Sequence, residues 1–535
     1  MNNTIPAEMP SGMPGTLPRR QVILTFAGVM LAIFLGSLDQ TVVGTAMPRI
    51  VADLSGFSQY TWVTTAYIIT SAIVIPITGK LTDMYGRKLF YIIGLFIFIL
   101  ASLLSGLSTT MTQLIIYRGI QGIGAGIMMA NAFTVIGDLF APADRGKYQG
   151  YISGVYGISS VIGPTLGGFL TDSLSWHWVF FINVPLGALI IFLFFKFFPD
   201  IRPEKVKHRV DYEGLVALVL MVAPLMLAMS WAGVDYAWGS STIIGMFSFS
   251  FVMLLLFVFV ESRAAEPIIP LSLFKNRIVT ISLVVSFLIG IGMFGIIIFI
   301  PLYFQGVLGA TATASGTFLM PMMLGVVGGA FISGQLLSRA GGHYRIQGCF
   351  GLAIMSSGIF LLSRMTVDTS YSTAVMSIVV TGFGLGTTMP LYMISIQNAV
   401  PHAMLGVATA SGTFFRSLGG SFGLGILGSI MNNSFSGQFT RFLPEQVKQV
   451  VPADVLNSLS NNPQALVNPE AQTQLKQILA QVGDNATVLF DQLLQTLRQA
   501  LSSSLSEVFL IGLFITVTAF LINFFIKEIP LRRTH

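Results

Sequence analysis

Fourteen apolar runs, each long enough to cross the ~30 Å hydrocarbon core of a bilayer, follow one another along this 535-residue chain. They fall at about 22–47, 59–79, 89–108, 112–136, 147–171, 177–198, 212–232, 241–261, 278–304, 313–337, 346–364, 371–399, 405–431 and 507–526, with Pro224 interrupting the seventh. Only 9% of the residues are charged, against roughly 25% in soluble domains, too few to clothe a water-facing surface. The expected fold is therefore an all-α polytopic membrane protein with 14 transmembrane helices in the lipid bilayer. The 55 glycines suit helices that pack closely. The one cysteine, Cys349, excludes an internal disulfide and offers no metal cluster. No phosphate-binding Gly-x-x-x-x-Gly-Lys-Ser/Thr loop appears, so ATP is not the expected energy source. Hydrolase and kinase signatures and a His/Cys/carboxylate cluster are missing as well, so no enzyme activity, cofactor or metal is expected.

An even number of spans places both termini on one side, and basic residues decide which. With both ends cytoplasmic, the tails and inward loops hold 20 of the 28 lysines and arginines. The short outward connections hold Arg49 and Arg364, spans hold Arg118 and Arg416, and one long outward segment holds Arg441, Lys448, Lys476 and Arg498. The formal charge of +6 thus reflects cytoplasmic loops at a cell (plasma or inner) membrane, with no nucleic acid as partner. Residues 1–20 lack the layout of a signal peptide and read as a disordered cytoplasmic tail.

The chain also repeats itself. Gly79-Lys-Leu-Thr-Asp-Met-Tyr-Gly86 is echoed by Gly334-Gln-Leu-Leu-Ser-Arg-Ala-Gly341 at an offset of 255. Gly122, Gly124 and Gly126 return as Gly382, Gly384 and Gly386, and Pro142 before Gly146 returns as Pro401 before Gly406, at offsets of 260 and 259. Three landmarks in one order predict two parallel six-helix bundles, 21–198 and 266–535, with two inserted helices and a cytoplasmic linker in 199–265. The segment 432–506 reads as two or three short outward helices, with Leu475, Ile478, Leu479 and Val482 in one and Phe490, Leu493, Leu494, Leu497 and Leu501 in another. It would form a helical cap or a docking site for an envelope partner. Asn485-Ala-Thr487 fits a glycan acceptor, a short match with meaning only in a eukaryotic secretory route.

One carboxylate lies deep in a span. Asp39 is about 12 Å from the end of the first helix if that helix stops near Pro48. An ionisable group there marks a proton or ion path, unless it reaches interfacial water at the helix end. Arg118 in the fourth span matches it in depth, as a counter-charge or as an anchor for that helix. Arg416 has no carboxylate at its depth in the sequence; backbone carbonyls, water or an anionic substrate would satisfy it. On the cytoplasmic side Gly79, Asp83, Gly86, Arg87, Lys88, Asp138 and Arg145 form either a gate or merely a solubilising layer. Gly157, Gly163, Pro164, Gly167 and Gly168 give the fifth span a kink and a close-packing surface. Candidates for substrate contact are Trp62, Tyr67, Met128, Met129, Asn131, Phe133, Tyr156, Met389, Tyr392, Asn398 and Arg416; core packing and lipid contact compete for each ring and thioether.

Leu38-Asp39-Gln40-Thr41-Val42-Val43-Gly44-Thr45-Ala46-Met47-Pro48 resembles the first-span motif of the fourteen-span drug:proton antiporters (EmrB/QacA type) of the major facilitator superfamily, with Gly44 where Asn is usual. Gly79 to Lys88 resembles that family's loop motif, with Met84 in place of Arg. Leu114-Ile-Ile-Tyr-Arg118-Gly-Ile-Gln-Gly122 resembles its fourth-span motif, and the Gly/Pro run of the fifth span resembles its antiporter motif. Trp176-His-Trp178-Val-Phe-Phe-Ile-Asn183-Val-Pro185-Leu-Gly187 is similar to the same branch, with His177 where Arg is usual. The resemblance implies a major facilitator fold and proton coupling through Asp39 and Arg118. It further implies export of hydrophobic compounds, cationic drugs among them, by alternating access driven by a proton gradient, and hence antibiotic resistance. The competing expectations are proton-coupled export of one metabolite (an amino acid, lipid or organic anion) and a non-transporting receptor or scaffold.

Overall fold

Helix ends in this chain are set by small polar caps, glycine and proline. Thr110, Asp211, Ser240, Asn276 and Ser370 each accept a backbone N–H of the helix they precede. Gly86, at φ +96°, separates two helices with a single residue in a backbone conformation that side chains disfavour. The computed structural model describes residues 18–54, 59–199, 209–310, 312–339, 342–460, 473, 476–477 and 486–531. Residues 1–17 of the expected tail, most of the 199–211 linker, most of the Leu475–Val482 helix and Asn485 lie outside the described residues.

The first six spans are α1 (Arg19–Asp53), α2 (Tyr60–Tyr85), α3 (Arg87–Gly106), α4 (Met111–Leu139), α5 (Pro142–Ser173) and a broken helix made of α6 (Trp178–Phe181) and α7 (Asn183–Phe197). The inserted pair is α8 (Tyr212–Trp231) and α9 (Ser241–Arg263). Then come α10 (Arg277–Leu302), α11 (Ala312–Arg339), α12 (Tyr344–Ser363), α13 (Tyr371–Asn398) and α14 (Leu405–Phe442). Short α15 (Glu445–Val450) and α16 (Ala453–Ser460) precede the last span, α17 (Ala486–Asn523). Thirteen of the described helices, α6 and α7 counted as one, are long and apolar enough to cross a membrane. The expected span not among them is α5, long enough at 32 residues but diluted by glycine and serine.

Among the described residues, most lysines and arginines lie at the helix ends and turns of one face of the bundle. There Thr25 Oγ1 donates to Phe197 O at 3.1 Å, joining the start of α1 to the end of α7. The tail after α17 returns to the α11–α12 turn, where Ile529 N donates to Tyr344 OH at 2.7 Å. Both ends of the helical array thus meet this basic face, as the even span count requires.

The repeat seen in the sequence is a repeat in contacts. Gly122 and Gly126 of α4 press on backbone of α2 at Tyr67 and Ser71; their mates Gly382 and Gly386 of α13 press on α11 at Met322 and Val326. Gly124 meets α3 at Phe98, and Gly384 meets α12 at Met355. Between the halves the partners cross over. Gly79 of α2 lies on Gly406 of α14, while Gly334 of α11, the mate of Gly79, lies on Gly146 of α5, the mate of Gly406. A Cβ at any of these four would run into backbone. Both contacts belong to the basic-face half of the bundle, which is closed there. The inserted α8 packs along the seam, its Leu218, Met221 and Val222 sharing a core with Ile69 and Ile73 of α2 and Phe414 and Leu418 of α14.

Two expectations need correction. The first helix does not end near Pro48 but runs through it to Asp53, so Asp39 sits ~21 Å from that end. A proline removes one internal hydrogen bond, and here the turn absorbs the loss. The outward segment 432–506 is in good part a continuation of the membrane helices: α14 extends to Phe442 and α17 begins at Ala486. Phe435, Phe439, Leu489, Phe490, Leu493 and Leu497 belong to the same core as the C-terminal bundle, together with Val447 of α15 and Leu459 of α16.

Replacing Gly334 by valine will force α11 off α5, overpacking that costs about 1–3 kcal/mol against closure. Spin-label distances between the basic ends of α5 and α11 will lengthen; an unchanged distribution would show that this contact is not the closing surface.

Candidate functional site

Asp39 lies on α1 with 1% of its surface exposed. Its carboxylate accepts from Arg118 Nη1 at 2.6 Å, Gln121 Nε2 at 2.9 Å and Asn183 Nδ2 at 2.8 Å. Arg118 and Gln121 stand three residues apart on α4 and therefore share a face, and Arg118 Nη1 also donates to Gln121 Oε1 at 2.7 Å. The guanidinium lies 4.3 Å from the Tyr67 ring centroid, a cation–π contact that covers its face. Asn183 is delivered by the break between α6 and α7, where Pro185 supplies no N–H for the preceding turn. Its amide also donates to Ser102 Oγ at 3.0 Å, which donates to Phe180 O at 2.9 Å. The acid is thus held dry by α1, α4 and α7, with α3 behind. Asp39 and Arg118 meet as their matching depths allow. Gln121, Asn183 and Ser102 escaped the sequence reading, although Asn183 is a polar amide within a span, the signal that singled out Asn131.

On the basic face Asp83 accepts from the backbone N–H groups of Gly406 and Val407 at 3.0 and 2.8 Å, capping α14 from the other half. A carboxylate there meets both unpaired donors and the positive end of the helix dipole. Arg87 pairs with Asp83 and, through Nε, with Asp138 Oδ2 at 3.0 Å, while its Nη1 donates to Thr82 Oγ1 at 3.0 Å. His402 Nε2 lies 3.3 Å from Asp138 Oδ1, an ion pair when the imidazole is protonated. Arg145 donates to the carbonyls of Gly137 and Phe140 at the end of α4, and to Gln397 Oε1 across the seam at 3.5 Å. Gln397 Nε2 in turn donates to Phe133 O at 3.2 Å. Lys80 pairs with Glu266 at 3.1 Å. Of the expected gate, Lys88 is the exception. It is turned away from the seam and donates to Phe195 O at the end of α7, at 3.1 Å.

In α5, Gly163 and Gly167 receive Thr41 and Thr45 of α1, and Gly157 receives Val327 of α11, so this helix presents close-packing surfaces to both halves. Pro164 lies inside the helix, and Gly168 faces open space rather than another helix.

The substrate candidates divide. Tyr156 donates to Met129 Sδ at 3.0 Å and stands within electrostatic reach of Arg416, whose guanidinium lies 5.9 Å from the Phe133 ring. These four bring α4, α5 and α14 together across the seam. Tyr67 belongs to the charge centre. Met128 is in the core of the N-terminal half, and Met389 packs against that of the C-terminal half. Asn131 is fully buried, its amide donating to Ile127 O at 2.9 Å and its oxygen without a hydrogen-bond partner. Trp62 packs on Trp231 of α8, 5.4 Å between centroids. Two are placed elsewhere: Tyr392 donates to Asn523 of α17 at 2.9 Å inside the C-terminal half, and Asn398 donates to Pro530 O at 3.2 Å, fastening the tail.

Residues 29–424 match the Major Facilitator Superfamily. The chain belongs to that family. It is 39% identical over 528 residues to the multidrug transporter protein MdtP of Bacillus subtilis (strain 168), covering 97% of this chain and 95% of that one. It is 36% identical to multidrug resistance protein 3 of the same organism, covering 95% of each. A rubrofusarin-specific efflux pump, aurT, of Gibberella zeae is 32% identical over 80% of this chain and 82% of its own. The fold matches the human organic anion transporter MFSD10 with a TM-score of 0.60 at 12% identity, covering 94% of this chain and 100% of that one. It matches the proton:xylose symporter XylE with a TM-score of 0.54 at 13% identity, over 95% and 96%. This is a multi-pass membrane transporter and not an enzyme.

Removing the Asp83 cap by substitution with alanine will weaken the start of α14 by about 0.5–2 kcal/mol. Hydrogen exchange at the Gly406 and Val407 amides will accelerate accordingly; unchanged protection there would show that the cap does not hold the two halves together.

Proposed function

We propose that this transporter exports hydrophobic compounds, drugs among them, in exchange for protons, and that its basic face is the cytoplasmic face of the cell membrane. The relatives named for multidrug transport and efflux support the direction and the substrate class. The observation that carries the coupling is the dry Asp39–Arg118 pair, a titratable acid at mid-depth whose charge is balanced by one arginine. Protonating Asp39 removes the ionic attraction and leaves Arg118 with Gln121 and the Tyr67 ring. The contact that joins α1 to α4 then loosens.

The conformation fits one stage of such a cycle. The cytoplasmic side is latched by Asp83, Arg87 and the two glycine crossings, while Gln40 and Gly44, next to Asp39 on the outward part of α1, are exposed. A proton arriving from outside has a short way to the acid from these positions. Discharge inward follows once the latch opens and the opposite ends close. Substrate, taken up from the cytoplasmic side, would leave as the outward side opens.

In liposomes, Asp39→Asn will lose proton-driven export of a hydrophobic dye while retaining dye binding within about threefold. The single substitution strands the arginine and costs about 3–5 kcal/mol of stability. The double variant Asp39→Asn, Arg118→Gln will recover stability and still fail to couple. Transport by D39N at the wild-type rate under a proton gradient would refute the assignment.

A further inference from the structure

Arg416 stands eleven residues into α14, ~16 Å from its cytoplasmic end. A guanidinium does not lose its charge in a protein, and at this depth a charge without a partner is costly. Asp39 and Arg118 meet that demand by pairing with each other. Arg416 makes no hydrogen bond or ion pair among the described residues. Its surroundings are the Phe133 ring and the Tyr156 phenol, and the residue is only half-buried. The side chain therefore reaches out of the C-terminal half towards α4 and α5, into the seam between the halves.

The neighbours are suited to a ligand. Tyr156 gives its proton to a thioether sulfur, a weak acceptor, so this hydroxyl can turn to a better one. Phe133 and Met129 offer an apolar ring and a deformable sulfur beside it. Asp39, the acid deep within a span, has its charge balanced by Arg118, and no acid pairs with Arg416 among the described residues, so the space beside Arg416 carries a positive potential. Such a field repels quaternary amines and attracts acids.

We propose that Arg416 anchors the acidic group of an amphiphilic organic carboxylate, with Tyr156 donating a second hydrogen bond and Phe133 and Met129 receiving the apolar body. The inference rests on the export reading above and narrows its substrate class: acids on an aromatic frame are preferred over the neutral or cationic versions of the same frame. An arginine suits this task because its planar fork meets both carboxylate oxygens.

The test uses three probes on one frame, pyrenebutyrate, its methyl ester, and pyrenylbutyl-trimethylammonium, with the purified full chain and no gradient. The wild type will bind the acid about tenfold more tightly than the ester, and the cation most weakly. Arg416→Gln will erase the preference, weakening the acid far more than the ester, while an unchanged thermal unfolding midpoint reports that the variant is folded; Arg416→Lys will keep part of the preference. Equal affinities for the three probes in the wild type, or an undiminished preference for the acid in R416Q, would overturn the proposal and leave Arg416 satisfied by water. Proton-driven transport of the ester separates the two readings. Driven ester transport without acid preference defeats only the Arg416 site, and acid preference without driven transport defeats only proton coupling.

Discussion

A carboxylate that water does not reach must be balanced by the protein itself, and much of this structure follows from how that is done. Asp39 and Arg118 come from helices 79 positions apart in the chain and need matching depth, a shared face and a lid over the guanidinium. Gln121, on the same face of α4 as Arg118, supplies a second donor. The interruption at Pro185 supplies a third by turning Asn183 inward. Tyr67 closes over the top. The ion pair joins α1 to α4, and the Asn183 amide and the Tyr67 ring tie α7 and α2 to it, so a change of a single proton is felt at contacts of four helices.

The second constraint is backbone meeting backbone. Two six-helix halves can close on one another only where side chains are absent, and the four glycines at the crossings supply this. The symmetry of the crossings is geometric and not electrostatic. Asp83 caps α14 on one side, whereas its repeat mate on α11 is Ser338, whose buried hydroxyl has no hydrogen-bond partner. One crossing is thus locked by charge and the other by shape. Loss of the charged lock leaves the α5–α11 crossing in place as a pivot.

Helix number, the repeat and the Asp39–Arg118 pairing were legible in the sequence because each rests on a local pattern: length of apolar run, glycine spacing, one acid and one base at equal depth. What escaped depends on which way a side chain turns. Lys88 and Arg87 are neighbours in a basic loop, yet one enters the latch and the other caps α7. Tyr392 and Tyr156 are both tyrosines in spans, and only the second faces the seam. Gln121 and Asn183 are uncharged and stand out only once Asp39 is seen to need three donors. The outward extension of α14 was missed because Asn432, Asn433 and Ser434 end the apolar run without ending the helix.

That extension gives the latch a long arm. The first residues of α14 are held by Asp83, and its last lies 37 residues away, ~55 Å along one continuous rod that ends beside the short α15 and α16. A slight tilt at the capped end becomes a large sweep at the far tip, which α17 and the short helices follow. A change at the clasp on the basic face is therefore carried by α14 to the opposite end of the bundle.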